Sequence, residues 1–290
     1  MKNILLSIII PSYNRHNTLA KLLNLLSDSI TSNQLTKRIE VIIIDDASSP
    51  AITRPNFPIQ LRITRNTKNS GAPYSREQGF QLSTGKFIHF HDSDDSITSD
   101  WLTKIVHALK NKPHTDLLLT GRIDRTDKGD TQTYKRYFHK NCHSPQKISR
   151  RLLYWNCIGP IGGVIFSRQI LEKIPFKRFA SSQDWQMYLN ALEHSQTLNS
   201  QPDIKFTFNK TGKDRISHNP RKKILGFLQY AQLTENRSPF KRKIRLFYLY
   251  RCRNHIFKQG GGILKFYKAH RVRIFMTYLM VSVYSFLPMK

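Results

Sequence analysis

The sequence predicts an α/β protein built on a largely parallel, twisted sheet that is flanked by helices. Continuous apolar runs alternate along the chain with segments whose leucines recur at helical spacing. Uninterrupted apolar runs are typical of strands buried on both faces, and strands joined by helices run parallel. With 290 residues, the chain is also long enough to bury a large core.

The elements follow one another in order over the first 110 residues. Residues 5–10 are an apolar run that is ended by Pro11, and the leucines between residues 17 and 26 predict its crossover helix. Further strands are predicted at 39–44, 61–64 and 87–91, and further helices at 72–82 and 101–109. Ligands of such sheets bind beyond the carboxyl ends of the strands, so we expect the functional residues there.

Three carboxylates, Asp92, Asp94 and Asp95, follow the predicted strand at 87–91. In an extended segment, side chains two residues apart point the same way, so Asp92 and Asp94 can converge on one ion. A cation relieves the repulsion among clustered carboxylates, and their oxygens suit Mg²⁺ or Mn²⁺. The alternative is that these residues only cap the helix that begins near Thr98. Their position after a buried strand favours a metal and phosphate site.

Polar residues also follow the first two strands. Pro11, Tyr13 and Asn14 end the first strand, and Asp45 and Asp46 end the second. We expect all of them to line one crevice with Asp92. Tyr13 offers a ring on which a nucleobase can stack, and Asp46 can accept hydrogen bonds from a base or a ribose. Turn chemistry explains each residue taken alone. Their coincidence at three strand ends favours a binding site.

Four sequence blocks carry a resemblance to a known family. They are SIIIPSYNR at 7–15, VIIIDDASS at 41–49, NSGAPYSREQG at 69–79 and FIHFHDSDD at 87–95. In this order and at this spacing they resemble the nucleotide-sugar-binding half of the family-2 glycosyltransferases, which have the GT-A fold of nucleotide-diphospho-sugar transferases. The third block departs from the family pattern, because Glu77 stands where that family commonly has Asn. We expect this change to affect local packing more than chemistry.

The resemblance implies a donor site, position by position. Pro11 and Tyr13 would bracket the nucleobase, Asp46 would hold the base or ribose, and Asp92 with Asp94 would form the DxD motif that binds Mn²⁺ or Mg²⁺. The donor-binding residues that we expect are Pro11, Tyr13, Asn14, Asp46, Arg76, Asp92, Ser93, Arg215 and Arg221. The expected donor is a UDP-linked sugar, because uridine is the family's usual base.

The resemblance also implies a catalytic base, and Asp184 in the block SSQDWQMYL at 181–189 matches its place. Gln183 precedes it where an acid is common in the family. A sugar hydroxyl is a poor nucleophile, and a carboxylate within hydrogen-bond reach can take its proton. The alternative is that Asp184 is only a helix N-cap. One base and one displacement imply inversion at the anomeric carbon, because no second carboxylate is in place to act as a nucleophile.

Four residues are expected on the acceptor side: Trp155, Gly162, Gly163 and Trp185. The two glycines permit close approach of the backbone to an acceptor sugar, although they also suit a β-bulge. Trp155 can stack on a sugar face, although a tryptophan is more commonly a core residue.

A polar loop at 210–223 carries Arg215, His218 and Arg221. Such a loop can close over the diphosphate once the donor binds, and His218 can supply a further metal ligand. The alternative for His218 is a solvated surface histidine.

Charge and cysteine use indicate where the protein works. The chain has 47 Lys and Arg against 19 Asp and Glu, a formal charge of +28. Fifteen of the basic residues lie within 221–273, a stretch whose one acidic residue is Glu235. Basic residues mixed with Tyr and Phe suit an anionic membrane surface. The apolar run at 274–287 is too short to span a bilayer, so we expect it at the interface or packed on the domain. Three cysteines without metal-ligand spacing predict reduced thiols and a cytoplasmic, peripheral membrane location.

These observations predict a catalytic domain at 1–220, with a donor half at 1–110 and an acceptor half at 111–220, and a basic helical extension at 221–290. The predicted partners are a nucleotide sugar, a glycan or lipid-linked glycan acceptor of polysaccharide or lipopolysaccharide synthesis, and an anionic membrane surface. A nucleotidyltransferase acting on sugar phosphates is the alternative, but its Gly-rich phosphate loop is missing after the first strand. A nucleic-acid-binding protein would explain the charge, but the sequence shows no recognition module and we expect no nucleic acid.

Overall fold

The structure, a computed structural model, describes residues 4–55, 57, 60–133, 144–211, 219–235, 237, 244 and 247–252. The chain divides into two units. The sheet unit comprises Met1–Arg151, Asn156–Arg178 and Met187–Gly212. The C-terminal unit comprises Leu152–Trp155, Phe179–Gln186 and Lys213–Lys290. The predicted boundary at residue 220 stays a prediction, and the C-terminal unit includes two segments that precede it.

Strands and helices alternate through the first part of the chain. The strands are β1 (Leu6–Ser12), β2 (Ile39–Asp45), β3 (Leu61–Arg65), β4 (Phe87–Phe90), β5 (Ser96–Ile97), β6 (Leu117–Thr126), β7 (Gly129–Thr133), β8 (Val164–Ser167) and β9 (Leu198–Asn209). The helices are α1 (His16–Ser32), α2 (Ala72–Leu82), α3 (Trp101–Asn111), α4 (Pro145–Leu152), α5 (Arg168–Leu171), α6 (Gln183–His194) and α7 (Pro220–Glu235), and a 3₁₀ turn covers Ile161–Gly163.

One sheet joins all the described strands in the order β3-β2-β1-β4-β8-β6-β9-β5, and β7 pairs with β6. The α/β class predicted from the sequence is confirmed. Strands β1 to β4 pair in parallel, as expected of strands that are joined by crossover helices. Beyond β4 the sheet is mixed, because β8 runs antiparallel to both of its neighbours while β6 and β9 run parallel. Parallel pairing is therefore concentrated in the first half of the sheet.

β1 continues through Pro11, where the sequence predicted its end. Pairing of β1 with β4 stops at Ile9, which lies opposite Phe90. Proline lacks an N–H group and normally breaks a central strand. At Pro11 no β4 residue is paired with the strand, so the missing N–H forfeits no ladder hydrogen bond on that side.

The predicted apolar runs form the centre of the core of the sheet unit. Every residue of β1, β2 and β4 is buried. The buried faces of α1 and α3 pack onto this layer, and they include Leu19, Leu22, Leu23, Leu26, Trp101, Leu102 and Ile105. Burying each such side chain stabilises the fold by about 1.5–3 kcal/mol before conformational entropy is counted. The strand ends at the site are thus built on a rigid support.

The C-terminal unit has a small core of its own, made of aromatic side chains. Trp185, Phe227, Tyr230 and Tyr248 are all buried in it. Among the described residues, no helix is both long and apolar enough to span a bilayer. The predicted interfacial run at 274–287 lies outside the described residues.

Candidate functional site

The carboxyl ends of β1, β2 and β4 meet at one edge of the sheet. β1 lies between β2 and β4, and all three strands run parallel. Just past the strands, the Asp46 backbone N–H donates to the Ser12 carbonyl at 2.8 Å, and the His91 N–H donates to the Ile9 carbonyl at 2.9 Å. The three predicted strand-end groups, at 11–14, 45–46 and 92–94, therefore lie side by side.

Asp46 is 4% exposed and fixes the start of α2. Its Oδ1 accepts from Asn66 Nδ2 at 2.7 Å and from the Ser70 N–H at 3.0 Å, and its Oδ2 accepts from the Gly71 N–H at 2.7 Å. A carboxylate has about four acceptor positions, so within the described part of the chain these three bonds leave one position. Asp46 thus positions the loop before α2 and keeps capacity for one further donor.

Tyr13 and Asn14 lie in the turn after β1, and both are exposed. The Tyr13 side chain is 46% exposed, so its ring is accessible for stacking. Asn14 has a φ of 52°, its N–H donates to Ser48 Oγ at 3.0 Å, and its Oδ1 accepts from the Ser49 N–H at 2.8 Å. Asn14 therefore ties this turn to the loop after β2, while Pro11 is buried within β1.

Asp45 was predicted with Asp46 at the end of the second strand but was given no role of its own, and it organises the same loop. Its carboxylate accepts from the backbone N–H groups of Ser48 and Ile52 and pairs with Arg65 Nη1 at 2.5 Å. Burial alone would raise the pKa of Asp45, but the hydrogen bonds from Ser48, Ile52 and Arg65 hold it below its ordinary value. Asp45 is consequently an ionised structural group. Its position next to Asp46 at a strand end was the signal that the sequence offered.

Arg76 and Asp92 form an ion pair, with Arg76 Nη2 2.7 Å from Asp92 Oδ1. The Arg76 side chain is 8% exposed and the Asp92 side chain 33%. Arg76 lies on α2, whose start is fixed by Asp46. The buried guanidinium therefore orients a carboxylate that is still accessible to a ligand.

The other two carboxylates of this loop have different environments. Asp95 is buried, its Oδ1 accepts from the Asn209 N–H at 2.9 Å, and its own N–H donates to the Asp92 carbonyl. Asp94 is half-buried, and Ser93 beside it is buried. Asp95 thus ties the loop to β9, and Asp92 and Asp94 are the accessible pair.

The accessible carboxylates fit a hard divalent cation only in part. Oxygen donors on Asp92 and Asp94 are the type that Mg²⁺ and Mn²⁺ prefer. Within the part of the chain that the structure describes, no group of three or more His, Cys, Asp or Glu residues is arranged to hold a metal. A cation here would therefore need further ligands from phosphate oxygens or water, as is usual for Mg²⁺.

Two fully buried histidines lie next to the same loop: His89 in β4 and His91 directly after it. The sequence predicted no role for either. His89 Nδ1 lies 3.1 Å from the Val164 carbonyl, and His89 Nε2 lies 3.1 Å from His91 Nδ1. Because a carbonyl only accepts, His89 carries its proton on Nδ1 and accepts from His91. Burial lowers the pKa of His89 to about 3 and that of His91 to about 4. Both rings are therefore neutral at physiological pH.

Gly162 and Gly163, expected on the acceptor side, are buried in the turn before β8. A Cβ on Gly162 would lie 2.8 Å from Phe206 Cε2. Phe206 is fully buried, so its ring occupies the space that a larger side chain would need. Close packing is what the structure requires of Gly162.

Asp184 belongs to the C-terminal unit and is the second residue of α6. It is half-buried, and its Oδ1 accepts from the Trp185 N–H at 2.8 Å. The helix begins one residue earlier, at Gln183, so Asp184 lies in the first turn and is not the N-cap. A carboxylate in the first turn is favoured by the helix dipole.

The remaining predicted residues have different environments. Trp185 is 3% exposed, so its ring belongs to the core and we assign it to anchoring α6. Trp155 is 50% exposed, which leaves its ring accessible to a sugar. Arg221 is exposed at the start of α7. Arg215 and His218 lie outside the described residues, so the predicted closing loop stays a prediction.

Comparison with known families agrees with this arrangement. The family model described as "Glycosyl transferase family 2" matches residues 7–175, which include β1 from Ser7 onward, β2 to β8 and all three strand-end groups. The chain belongs to glycosyl transferase family 2. The resemblance given by the four sequence blocks is thereby confirmed.

The relatives of this family-2 chain include bacterial glycosyltransferases. An uncharacterised glycosyltransferase of Haemophilus influenzae is 29% identical over 173 residues, 59% of this chain and 55% of that protein. The Escherichia coli enzyme UDP-Glc:alpha-D-GlcNAc-diphosphoundecaprenol beta-1,3-glucosyltransferase WfgD is 28% identical over 207 residues, 67% of this chain and 72% of that protein. The chain thus spans about half the length of the Haemophilus relative.

Solved structures show the same fold. Residues 1–349 of Staphylococcus aureus TarS in complex with UDP-GlcNAc superpose with a TM-score of 0.63 at 17% identity, covering 96% of this chain and 79% of that one. The mannosyltransferase PcManGT of Pyrobaculum calidifontis in complex with GDP-Man and Mn²⁺ has a TM-score of 0.58 at 14% identity, covering 98% and 80%. The predicted GT-A fold is confirmed.

Proposed function

We propose that this family-2 protein transfers a sugar from a nucleoside-diphosphate sugar, with UDP as the expected nucleotide, to a hydroxyl group of a glycan acceptor. The observation that carries the proposal is the meeting of three strand ends at one sheet edge, with Tyr13 exposed and Asp92 oriented by Arg76. Of the solved structures with this fold, TarS is in complex with UDP-GlcNAc and PcManGT is in complex with GDP-Man. Both of these ligands are nucleoside-diphosphate sugars.

In the proposed donor complex, each residue has a distinct task. Tyr13 stacks on the nucleobase, and the remaining acceptor position of Asp46 takes one N–H or O–H group of the base or ribose. The Arg76 guanidinium holds Asp92 in orientation, and Ser93 and Asn14 shape the adjoining turns. Arg221, and Arg215 in the loop that we predicted to close, supply positive charge for the diphosphate.

Asp92 and Asp94 are the residues that would hold Mn²⁺ or Mg²⁺, with His218 as a further candidate ligand. A bound divalent cation supplies Lewis-acid stabilisation of the charge that develops on a departing nucleoside diphosphate. The two half-buried carboxylates offer the oxygen donors that such a cation prefers. PcManGT was solved with Mn²⁺, which supports the choice of ion.

We assign the base to Asp184. Its carboxylate takes the proton of the acceptor hydroxyl as that oxygen attacks the anomeric carbon and the bond to the nucleoside diphosphate breaks. A single displacement inverts the configuration, so an α-linked donor gives a β-linked product. The names of the relatives WfgD and TarS both specify beta-glycosyltransferases, which supports inversion.

The acceptor proposed here is a lipid-linked glycan of bacterial surface-polysaccharide synthesis at an anionic membrane face. The WfgD name specifies a diphosphoundecaprenol-linked acceptor. The basic residues at 221–273 suit the same anionic surface, with about 1 kcal/mol from each residue near the bilayer. Trp155, half exposed, is the proposed stacking platform for the acceptor sugar.

The experiment is a transfer assay in Mn²⁺ with a panel of nucleotide sugars, in which NMR determines the anomeric configuration of the product. We expect a β-linked product from an α-linked donor. Asp184→Asn should still bind the donor but transfer sugar roughly 100- to 10,000-fold more slowly. Retention of configuration would contradict the single displacement, and normal transfer by Asp184→Asn would contradict the choice of base.

A further inference from the structure

The C-terminal unit holds the backbone of Leu152–Trp155 through side chains that are distant in sequence. The Leu152 carbonyl accepts from the Trp185 indole Nε1 at 2.7 Å and from Tyr230 Oη at 2.8 Å. Both donors are buried, so water does not compete for these bonds. The first turn of α6 and the helix α7 are thereby fixed to the same carbonyl.

The next two carbonyls of this segment are bound in the same way. Tyr248 Oη donates to the Leu153 carbonyl at 2.7 Å, and Arg251 Nη1 donates to the Tyr154 carbonyl at 3.1 Å. Tyr248 is fully buried, and burial raises the pKa of its hydroxyl, which therefore stays protonated as a donor. Three consecutive carbonyls are consequently held by residues beyond 229.

Trp185 is enclosed by the same side chains. Its ring centre lies 4.3 Å from that of Tyr230 and 6.0 Å from that of Tyr248, and the Arg251 guanidinium lies 5.5 Å away. Aromatic and cation–π contacts of this kind add to the hydrogen bonds. The residue that follows Asp184 is therefore fixed on several sides.

The chain just before Asp184 is also fixed, in this case by α7. The Ala180 N–H donates to Gln229 Oε1 at 2.8 Å. A Cβ on Gly226 would lie 2.8 Å from the Ser181 carbonyl oxygen, so helix and loop are in direct backbone contact. Ser182, which follows, has a φ of 60° and leads into α6. Asp184 thus lies between two segments that α7 and the residues after it hold in place.

We propose that Gly226, Gln229 and Tyr248 are positioning residues for the carboxylate of Asp184. The inference rests on the proposed function, in which Asp184 is the base. A base must lie within hydrogen-bond reach of its proton, and a displacement of about 1 Å can cost roughly 100-fold in rate. The segment expected to serve as a membrane-binding appendage therefore also acts on catalysis through the turn at 180–184.

The test compares Gly226→Ala, Gln229→Leu and Tyr248→Phe with Gln232→Ala, a change at an exposed position of the same helix. We expect Gly226→Ala to lower kcat by roughly 100-fold and the other two variants by about tenfold, with the KM for donor unchanged. Gln232→Ala should be normal. Tyr248→Phe keeps the ring, so it also tests the idea if Gly226→Ala does not fold. A higher donor KM with unchanged kcat would overturn the proposal.

A double-mutant cycle separates positioning from general destabilisation. In the Asp184→Asn background, Gly226→Ala and Gln229→Leu should have no further effect on the residual rate, because the group that they position is gone. An equal loss in both backgrounds would overturn the proposal.

Hydrogen–deuterium exchange gives a readout that does not depend on activity. In Gln229→Leu, the amides at 180–185 should exchange about tenfold faster, while the amides of β1 and β4 are unchanged. Unchanged exchange at 180–185 would overturn the positioning role. Absence of sugar transfer by the wild-type protein would instead contradict the proposed function, so the two failures are distinguishable.

Discussion

The sheet unit and the C-terminal unit hold their loop backbone in place with opposite hydrogen-bond chemistry. At the sheet edge, the Asp45 and Asp46 carboxylates accept hydrogen bonds from backbone N–H groups of the nearby loops. In the C-terminal unit, aromatic and guanidinium side chains donate to the backbone carbonyls of Leu152, Leu153 and Tyr154. Carboxylates hold loops whose free N–H groups would otherwise be unsatisfied, whereas ring donors combine a hydrogen bond with buried apolar area.

The two strategies predict different responses to mutation. Replacing a carboxylate that accepts several hydrogen bonds removes all of those bonds at once, so several N–H groups lose their acceptor together. A tyrosine that loses only its hydroxyl keeps its packing. Variants at the sheet edge should therefore have the larger effects.

The largest effect is expected at the accessible carboxylate Asp94. Asp94→Ala should lower the affinity for a nucleotide sugar in Mn²⁺ by roughly 1,000-fold, because the proposed cation loses a charged ligand. Titration calorimetry with and without Mn²⁺ measures this change. Asp100→Ala is the control, since Asp100 is an exposed carboxylate that pairs with Lys104. Full Mn²⁺-dependent affinity in Asp94→Ala would refute the metal-binding role.

A smaller effect is expected at Asp46. Asp46→Asn replaces one acceptor oxygen with an N–H₂ group, so one or more of the N–H donors of Asn66, Ser70 and Gly71 lose their acceptor. The free energy of unfolding should fall by about 1–3 kcal/mol, and nucleotide affinity should fall with it. Urea denaturation measures the first and calorimetry the second. The matched change at exposed Asp127 should leave both unaltered, and unaltered stability in Asp46→Asn would contradict the loop-fixing role.

The buried histidine pair predicts a specific dependence of stability on pH. The pKa values of His89 and His91 in the folded protein, about 3 and 4, lie below the ordinary value of 6.5. As pH falls below 6.5, the unfolded chain takes up protons that the folded chain does not, so stability is lost between pH 6.5 and about 4. Each histidine contributes up to about 1.4 kcal/mol per pH unit in this window.

The matched variants are His91→Phe and His107→Phe, since His107 is exposed on α3. Urea denaturation at pH 7, 6 and 5 should show a shallower loss of stability in His91→Phe and the wild-type slope in His107→Phe. Equal slopes in all three proteins would show that His91 does not titrate on unfolding.

The smallest effect is expected at Tyr230 in the C-terminal unit. Tyr230→Phe removes one of the two donors to the Leu152 carbonyl, but the Trp185 indole still donates to it. The loss of stability should be about 0.5–1.5 kcal/mol, measured by thermal unfolding. A loss as large as that in Asp46→Asn would remove the contrast between the two units.

The sheet edge could be predicted from the sequence because its determinants are local. Apolar runs identify β1, β2 and β4, and the rule for parallel sheets then brings the residues after them to one edge. Asp46, Asp92 and Asp94 were found in this way. The predicted starts of α2 and α3 also match the observed ones, at Ala72 and Trp101.

Contacts between distant residues could not be predicted in the same way. Asp95 is bound by Asn209, and Leu153 is bound by Tyr248, and no periodicity in the sequence indicates either pair. The segment that carries Tyr230 and Tyr248 is rich in basic and aromatic residues. Such a composition suits a membrane-facing segment as well as a core. Only the fold shows that their hydroxyl groups serve Leu152–Trp155.

The central claim is that the edge formed by β1, β2 and β4 binds a nucleoside-diphosphate sugar. Its most direct test is the thermal unfolding of the wild-type protein with UDP- and GDP-linked sugars, each with and without Mn²⁺. The account predicts that at least one UDP-linked sugar raises Tm by several degrees in Mn²⁺, since a ligand at 100 times its Kd stabilises the fold by about 2.7 kcal/mol. If no nucleotide sugar raises Tm under these conditions, the account is contradicted.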